Sequence, residues 1–171
     1  MRVLIAVATR HGSTHEIAEL IAEELRVAGA APDLRDADTV ATIDDYDAAI
    51  IGSAVYMGQW LPEAKRFVAR YRDQLATLPV WLFSSGPLGE EPWPPGEPSG
   101  VAELVAATGA REHVVFTGKL DTNALGFAER LVAKAVRAPE GDFRDEEAIH
   151  AWARAIGRTL AGQQTAAVAA R

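Results

Sequence analysis

The chain has 171 residues, 24 acidic and 17 basic, for a net charge of −7 and a pI near 5.1. No overall positive field draws in polyanions, which excludes general nucleic-acid binding. The absence of cysteine removes disulfides, thiolate nucleophiles and thiolate metal sites.

No apolar run approaches the roughly 20 residues that cross a bilayer. Arg2 leads only a short apolar stretch before polar Thr9-Arg10-His11, which is not a secretory leader. The expected location is therefore the cytoplasm, either free or peripheral to the inner face of the membrane. His11 and His15 stand four apart without a carboxylate to complete a zinc pattern, and His113 and His150 are remote, so no metal is expected.

In chain order, residues 2–8 form a nearly continuous apolar run, the pattern of a strand buried on both faces. A polar turn follows, and residues 14–28 carry Ile17, Leu20, Ile21, Leu25 and Ala28 at helical spacing, with Gly29 as the stop. Ala31 to Arg35 reads as a second strand, residues 36–47 as an acidic connection, and residues 48–53 as a third strand. Pro62 opens a helix expected to reach about Leu75, with Ala64, Phe67, Val68 and Tyr71 inward.

Residues 79–84 predict the fourth strand and residues 112–117 the fifth. Gly86 to Gly100 holds five prolines and four glycines, so it is a loop, and loops of that length commonly bind or cover ligands. A short helix is expected at 101–108. Two more follow at 124–137 and 145–161, and Gln163 to Arg171 is expected to fray as a disordered tail. Alternating strands and helices without a linker predict one α/β domain over residues 1–162. Its expected form is doubly wound, with helices on both faces of a five-stranded parallel sheet of order 2-1-3-4-5. A ligand crevice then lies beyond the carboxyl ends of strands one and three.

Three loops reach that crevice. The first, Thr9-Arg10-His11-Gly12-Ser13-Thr14, sets three hydroxyls around a glycine at a helix N-terminus. Its unpaired N–H groups and dipole suit a phosphate; Ser and Thr also serve there as plain helix caps. The second runs Ser53-Ala54-Val55-Tyr56-Met57-Gly58-Gln59-Trp60. Tyr56 and Trp60 are candidates to stack on a planar ring, or to pack beneath the next helix. The third, Ser84-Ser85-Gly86-Pro87-Leu88-Gly89, presents backbone groups to a ligand's polar edge, and Trp93 beyond it is either a lid or a plug.

Thr9-x-x-Gly12-x-Thr14, residues 51–56 and Ser85-Gly86-Pro87-Leu88-Gly89 together resemble the flavodoxin superfamily. Thr9-Arg10-x-Gly12-x-Thr14, Tyr56-x-Gly58, Phe116-x-Gly118-x-Leu120 and Gly141-Asp-Phe-Arg-Asp145 are similar to its menaquinone-dependent protoporphyrinogen dehydrogenase branch. The resemblance implies FMN, with the phosphate on residues 9–14 and the ring between residues 53–60 and 84–89. It implies an oxidoreductase passing electrons from a small reduced substrate, such as a porphyrinogen, to a quinone-like acceptor or a redox partner protein. The flavin supplies the redox chemistry, so no catalytic acid or base is nominated.

The sequence departs from that branch at Glu90, Glu91 and Glu97, which make the loop after strand four acidic. Porphyrinogen propionates would meet like charge there. Arg130, Lys134 and Arg137 form one helical face, open to three readings: a solvated surface, propionate capture, or contact with an anionic membrane surface holding a quinone. A non-enzymatic electron carrier and a flavin-free binding relative are the competing functions.

Overall fold

A computed structural model describes residues 1–86, 96–120 and 141–169. Strand β1 (Arg2–Ala8) is buried at every position after Arg2, as its apolar run requires in the middle of a sheet. Helix α1 (Ser13–Val27) buries Thr14, Ile17, Ala18, Ile21, Ala22 and Leu25 on one face. It ends in a Schellman motif: the Gly29 N–H donates to the Arg26 carbonyl at 3.0 Å and the Ala30 N–H to the Leu25 carbonyl at 2.9 Å. Gly29 adopts φ 83°, the left-handed conformation that this stop demands.

The chain continues through β2 (Ala31–Asp36), β3 (Ala48–Tyr56), β4 (Gln59–Trp60), α2 (Pro62–Arg70), α3 (Arg72–Leu75) and β5 (Val80–Ser85). Then come α4 (Val101–Thr108), β6 (His113–Phe116), β7 (Lys119–Leu120), β8 (Gly141–Asp142) and a last helix, α5 (Glu146–Ala169). The parallel strands lie in the order β2-β1-β3-β5-β6, which is the expected doubly wound arrangement in chain-order terms.

The two faces of the sheet build two cores. Val3, Ile5, Val7, Ile50 and Phe83 pack against α1 and α5, where Ile149, Trp152, Ala153 and Ile156 close the layer. Leu4, Ala6, Ile51 and Leu82 pack the other way, against Phe67 and Val68 of α2 and Val101 of α4. Neighbouring residues of one strand thus serve opposite layers, the period-two rule of a pleated strand.

The structure departs from the expected elements at four places. Strand β3 runs on to Tyr56 because it folds into a hairpin, pairing Val55 with Trp60 and Tyr56 with Gln59. The helix from Pro62 breaks at Tyr71, whose hydroxyl donates to the Val40 carbonyl at 3.0 Å, an anchor the helical repeat does not reveal. The last helix, expected to stop near 161 before a fraying tail, continues to Ala169; Ala and Gln favour helix strongly. Finally, β7 and β8 form a separate antiparallel ribbon. The helix expected at 124–137, with Arg130, Lys134 and Arg137, lies outside the described residues.

Candidate functional site

The turn after β1 and the start of α1 form the floor of the crevice. Gly12 precedes α1 at φ 87°, and no side chain caps the helix. Among the described residues nothing lies within 4 Å of where a Gly12 Cβ would be, so no described side chain covers this backbone. The Gly12 N–H is bonded to Thr9 Oγ1 at 3.1 Å, which folds the turn. The first intrahelical bond is Glu16 N–H to the Gly12 carbonyl at 2.9 Å. The N–H groups of Ser13, Thr14 and His15 therefore precede the helical ladder and project from a positive dipole end.

Thr14 is the telling residue. It is 1% exposed, yet its Oγ1 has no hydrogen-bond partner among the described residues. A buried hydroxyl left unpaired costs about 1–3 kcal/mol, so a free-standing protein gains nothing from it. It lies at the helix N-terminus, among the backbone N–H groups that precede the helical ladder.

Loop two is a two-residue hairpin turn. Met57 at φ 50° and Gly58 at φ 74° give both central residues positive φ, the type I′ geometry whose twist matches paired strands. Met57 is 88% exposed and Tyr56 37%. The Arg10 guanidinium lies 4.7 Å from the centre of the Tyr56 ring, linking the first loop to the second through a cation–π contact. His11 is exposed beside it. Ala54 and Val55 are half-buried on the rising limb of the hairpin, and Gly86 packs so closely that a Cβ there would meet Val55 Cβ at 2.8 Å.

Three of the expected lining residues are supports instead. Ser53 is fully buried; its Oγ donates to the Ala54 carbonyl at 2.8 Å and accepts the Leu61 N–H at 2.9 Å. Trp60 is 2% exposed and its indole N–H is given to Ser84 Oγ at 2.7 Å. Ser84, equally buried, lies 2.8 Å from His113 Nε2. Trp60 is therefore enclosed within the fold, whereas Tyr56 remains exposed on the hairpin. Ser85 sits at the carboxyl end of β5, 3% exposed. Pro87, Leu88, Gly89 and Trp93 lie outside the described residues, as do Glu90 and Glu91.

Other features of the site were not legible as such. His113 Nδ1 is 3.1 Å from Glu97 Oε1, which gives a Ser84–His113–Glu97 chain. It is not a hydrolytic triad: Ser84 is sealed from solvent and its oxygen already receives the Trp60 N–H. The ribbon β7–β8 joins the two late motifs, and Phe143 N–H donates to the Gly118 carbonyl at 3.2 Å. The ribbon is pinned to loop one, since Lys119 N–H donates to Ser13 Oγ at 3.1 Å and Arg144 pairs with both Glu16 and Asp142. The guanidinium's hydrogen bonds hold the Asp142 carboxyl below its ordinary range, and Asp142 in turn raises Arg144. No group of metal-binding side chains occurs among the described residues.

The family model for the flavodoxin domain matches residues 4–147. Protoporphyrinogen IX dehydrogenase [quinone] of Escherichia coli K12 is 28% identical over 94 residues, covering 54% of this chain and 52% of that protein. The chain thus aligns with about half the length of that relative. Among solved structures, rubredoxin oxygen:oxidoreductase from the anaerobe Desulfovibrio gigas superposes with TM-score 0.65 at 19% identity, over 95% of this chain and 37% of that one. A Streptococcus pneumonia TIGR4 flavodoxin superposes with TM-score 0.55 at 19% identity, over 95% and 99% of the two chains.

Proposed function

We propose a function from the premise that the chain belongs to the flavodoxin-domain family, whose model spans residues 4–147. The family's cofactor is FMN, and the residues present fit it: an uncapped helix N-terminus, an open Gly12 and a buried, unpaired Thr14 hydroxyl. In our reading Thr9, Gly12, Ser13 and Thr14 hold the phosphate, with Arg10 and His11 at its rim. Ala54, Val55, Tyr56 and Gly58 on one side, with Ser85, Gly86 and the segment Pro87-Leu88-Gly89 on the other, flank the ring.

The protein is an FMN-dependent oxidoreductase that passes electrons from a reduced organic substrate, of the porphyrinogen type, to a quinone-like acceptor. When bound, FMN supplies the electron and hydride chemistry. The chain's own groups bind it, orient it and keep water from its inner face. The observation that carries the reading is the Thr14 hydroxyl, because a phosphate oxygen gives it the partner that no described residue does. The porphyrinogen substrate is supported by the match to the dehydrogenase of E. coli over half of each chain.

The test begins with the absorption spectrum of the purified protein and its titration with FMN. A protein that carries no flavin and takes up none at micromolar concentration is not a flavoprotein, and the reading fails. The flavin-loaded protein is then mixed anaerobically with protoporphyrinogen and a menaquinone analogue. Turnover supports the dehydrogenase. A flavin that stays idle there but is reduced rapidly by a redox partner protein supports the second reading, a non-enzymatic electron carrier. That alternative is favoured by the net charge of −7 and by the exposed Tyr56–Met57 edge of the crevice.

A further inference from the structure

Beneath the proposed ring site runs a chain of hydrogen bonds whose first link has its polarity fixed by chemistry. An indole N–H only donates, so Ser84 Oγ accepts from Trp60 Nε1 at 2.7 Å. The serine keeps one proton of its own, and His113 Nε2, 2.8 Å away, is the acceptor the structure gives it. With Nε2 accepting, a neutral imidazole carries its proton on Nδ1 and donates it to Glu97 Oε1 at 3.1 Å. The His113 side chain is 3% exposed, and Glu97 reaches it from a position 64% exposed.

The chain joins segments that are far apart in sequence. Trp60 closes the hairpin that carries Tyr56. Glu97 belongs to the return limb of the long loop after β5, and that limb is stitched to the same hairpin. The Ser99 N–H donates to the Gly58 carbonyl at 2.8 Å, and Gln59 bridges to Ser99. His113 on β6 therefore holds the hairpin from two directions, through Ser84 and Trp60 and through Glu97 on the limb that is paired with the hairpin at Ser99.

We propose that His113 is a positioning residue that fixes the ring-flanking hairpin of residues 53–60, acting on it through Ser84 and Trp60 and through Glu97 and the limb paired with it. The proposal rests on the FMN reading above. It assigns the chain Trp60–Ser84–His113–Glu97 to the ring end of the cofactor, whereas Thr14 belongs to the phosphate end. Removing either polar partner of His113 loosens the hairpin that flanks the ring without touching the phosphate cradle.

Riboflavin, which has the ring but no phosphate, separates the two ends. His113→Phe keeps an aromatic ring in the pocket and loses both hydrogen bonds. His113→Gln loses the ring, but its amide oxygen and N–H reproduce the accepting and donating roles. His113→Phe is expected to weaken riboflavin and FMN by the same factor, about five- to tenfold, and to shift the flavin midpoint potential. His113→Gln is expected to restore both.

Glu97→Ala, an exposed truncation that spares the core, is expected to move both affinities the same way by a smaller factor. It decides the matter if His113→Phe fails to fold. Wild-type affinities and potential in His113→Phe, or in Glu97→Ala where it must stand in, overturn the proposal. So does a loss in His113→Gln that is absent from His113→Phe, since that is a packing role. A loss confined to FMN also overturns it by placing His113 at the phosphate end. A wild-type protein that binds neither flavin overturns the FMN reading and this proposal together; flavin binding that His113 and Glu97 do not influence overturns this proposal alone.

Discussion

Thr14 shows how one atom can serve opposite ends with and without ligand. Its hydroxyl is buried and unpaired among the described residues, so the ligand-free protein bears the cost of a desolvated donor, about 1–3 kcal/mol. Thr14→Val keeps the shape and removes the orphan. The apoprotein of this variant is expected to melt higher, by about 1 kcal/mol of stability, while its FMN affinity falls about tenfold or more because a charge-assisted bond is lost. Thermal melts of the apoprotein and a fluorescence titration with FMN read the two signs separately. An unchanged affinity removes Thr14 from the phosphate site. Ser53, Ser84 and Trp60 carry the contrary lesson. A hydroxyl or indole at the end of a strand looks the same in sequence whether it faces a ligand or a neighbour. Only the tertiary partners, Leu61 N–H for Ser53 and Trp60 for Ser84, tell the cases apart.

At the scale of elements, the hairpin of loop two carries strain where the site needs shape. Met57 holds a left-handed conformation at φ 50° that costs a residue with a Cβ about 1 kcal/mol or more. Its side chain is 88% exposed, so replacing it sacrifices little packing. Met57→Asn creates the Asn-Gly pair preferred in a type I′ turn and is expected to raise stability by about 0.5–1 kcal/mol; a denaturant midpoint that falls instead would refute the turn geometry. The ribbon β7–β8 responds to acid. Arg144 lowers the folded carboxyl of Asp142 below its ordinary value of 3.8, so the unfolded chain takes up that proton first. The pair's contribution is therefore complete above that value and is lost as the pH falls through the lower, folded value. Asp142 is 44% exposed and solvent screens the pair, so Asp142→Asn is expected to cost less than about 1 kcal/mol at neutral pH. The difference from wild type should shrink as the pH falls below about 3.8, checked by urea unfolding across the acid range. Equal stability of the two proteins at neutral pH would mean that the Asp142–Arg144 pair adds nothing to the ribbon beyond its backbone bonds and its ties to Glu16 and Ser13.

Across the whole molecule, what could be read in advance was whatever repeats along the chain. The unbroken apolar run of β1, the helical spacing of Ile17, Ile21 and Leu25, and Gly29 as a stop identify a doubly wound sheet and the end at which its crevice opens. What could not be read was contact between distant segments: His113 with Glu97, Lys119 with Ser13, or Lys119–Leu120 with Gly141–Asp142. These leave no period in the sequence, and they surround the site because a crevice at a switch point is assembled from loops that meet only after folding. The same assembly makes the ligand a thermodynamic clasp on the fold. FMN touches loops after β1, β3 and β5 in the proposed site, so it binds the folded chain and not the unfolded one. At a free concentration one hundred times its Kd it should stabilise the protein by about 2.7 kcal/mol. For a chain of this length that is a rise of about 5–10 °C in Tm. The rise should grow with the logarithm of FMN concentration, shrink for riboflavin, and shrink for Thr14→Val with FMN but not with riboflavin. A melt that ignores FMN at saturating concentration would mean that the flavin sits on a surface already lost before the sheet unfolds, and the three-loop site would have to be abandoned.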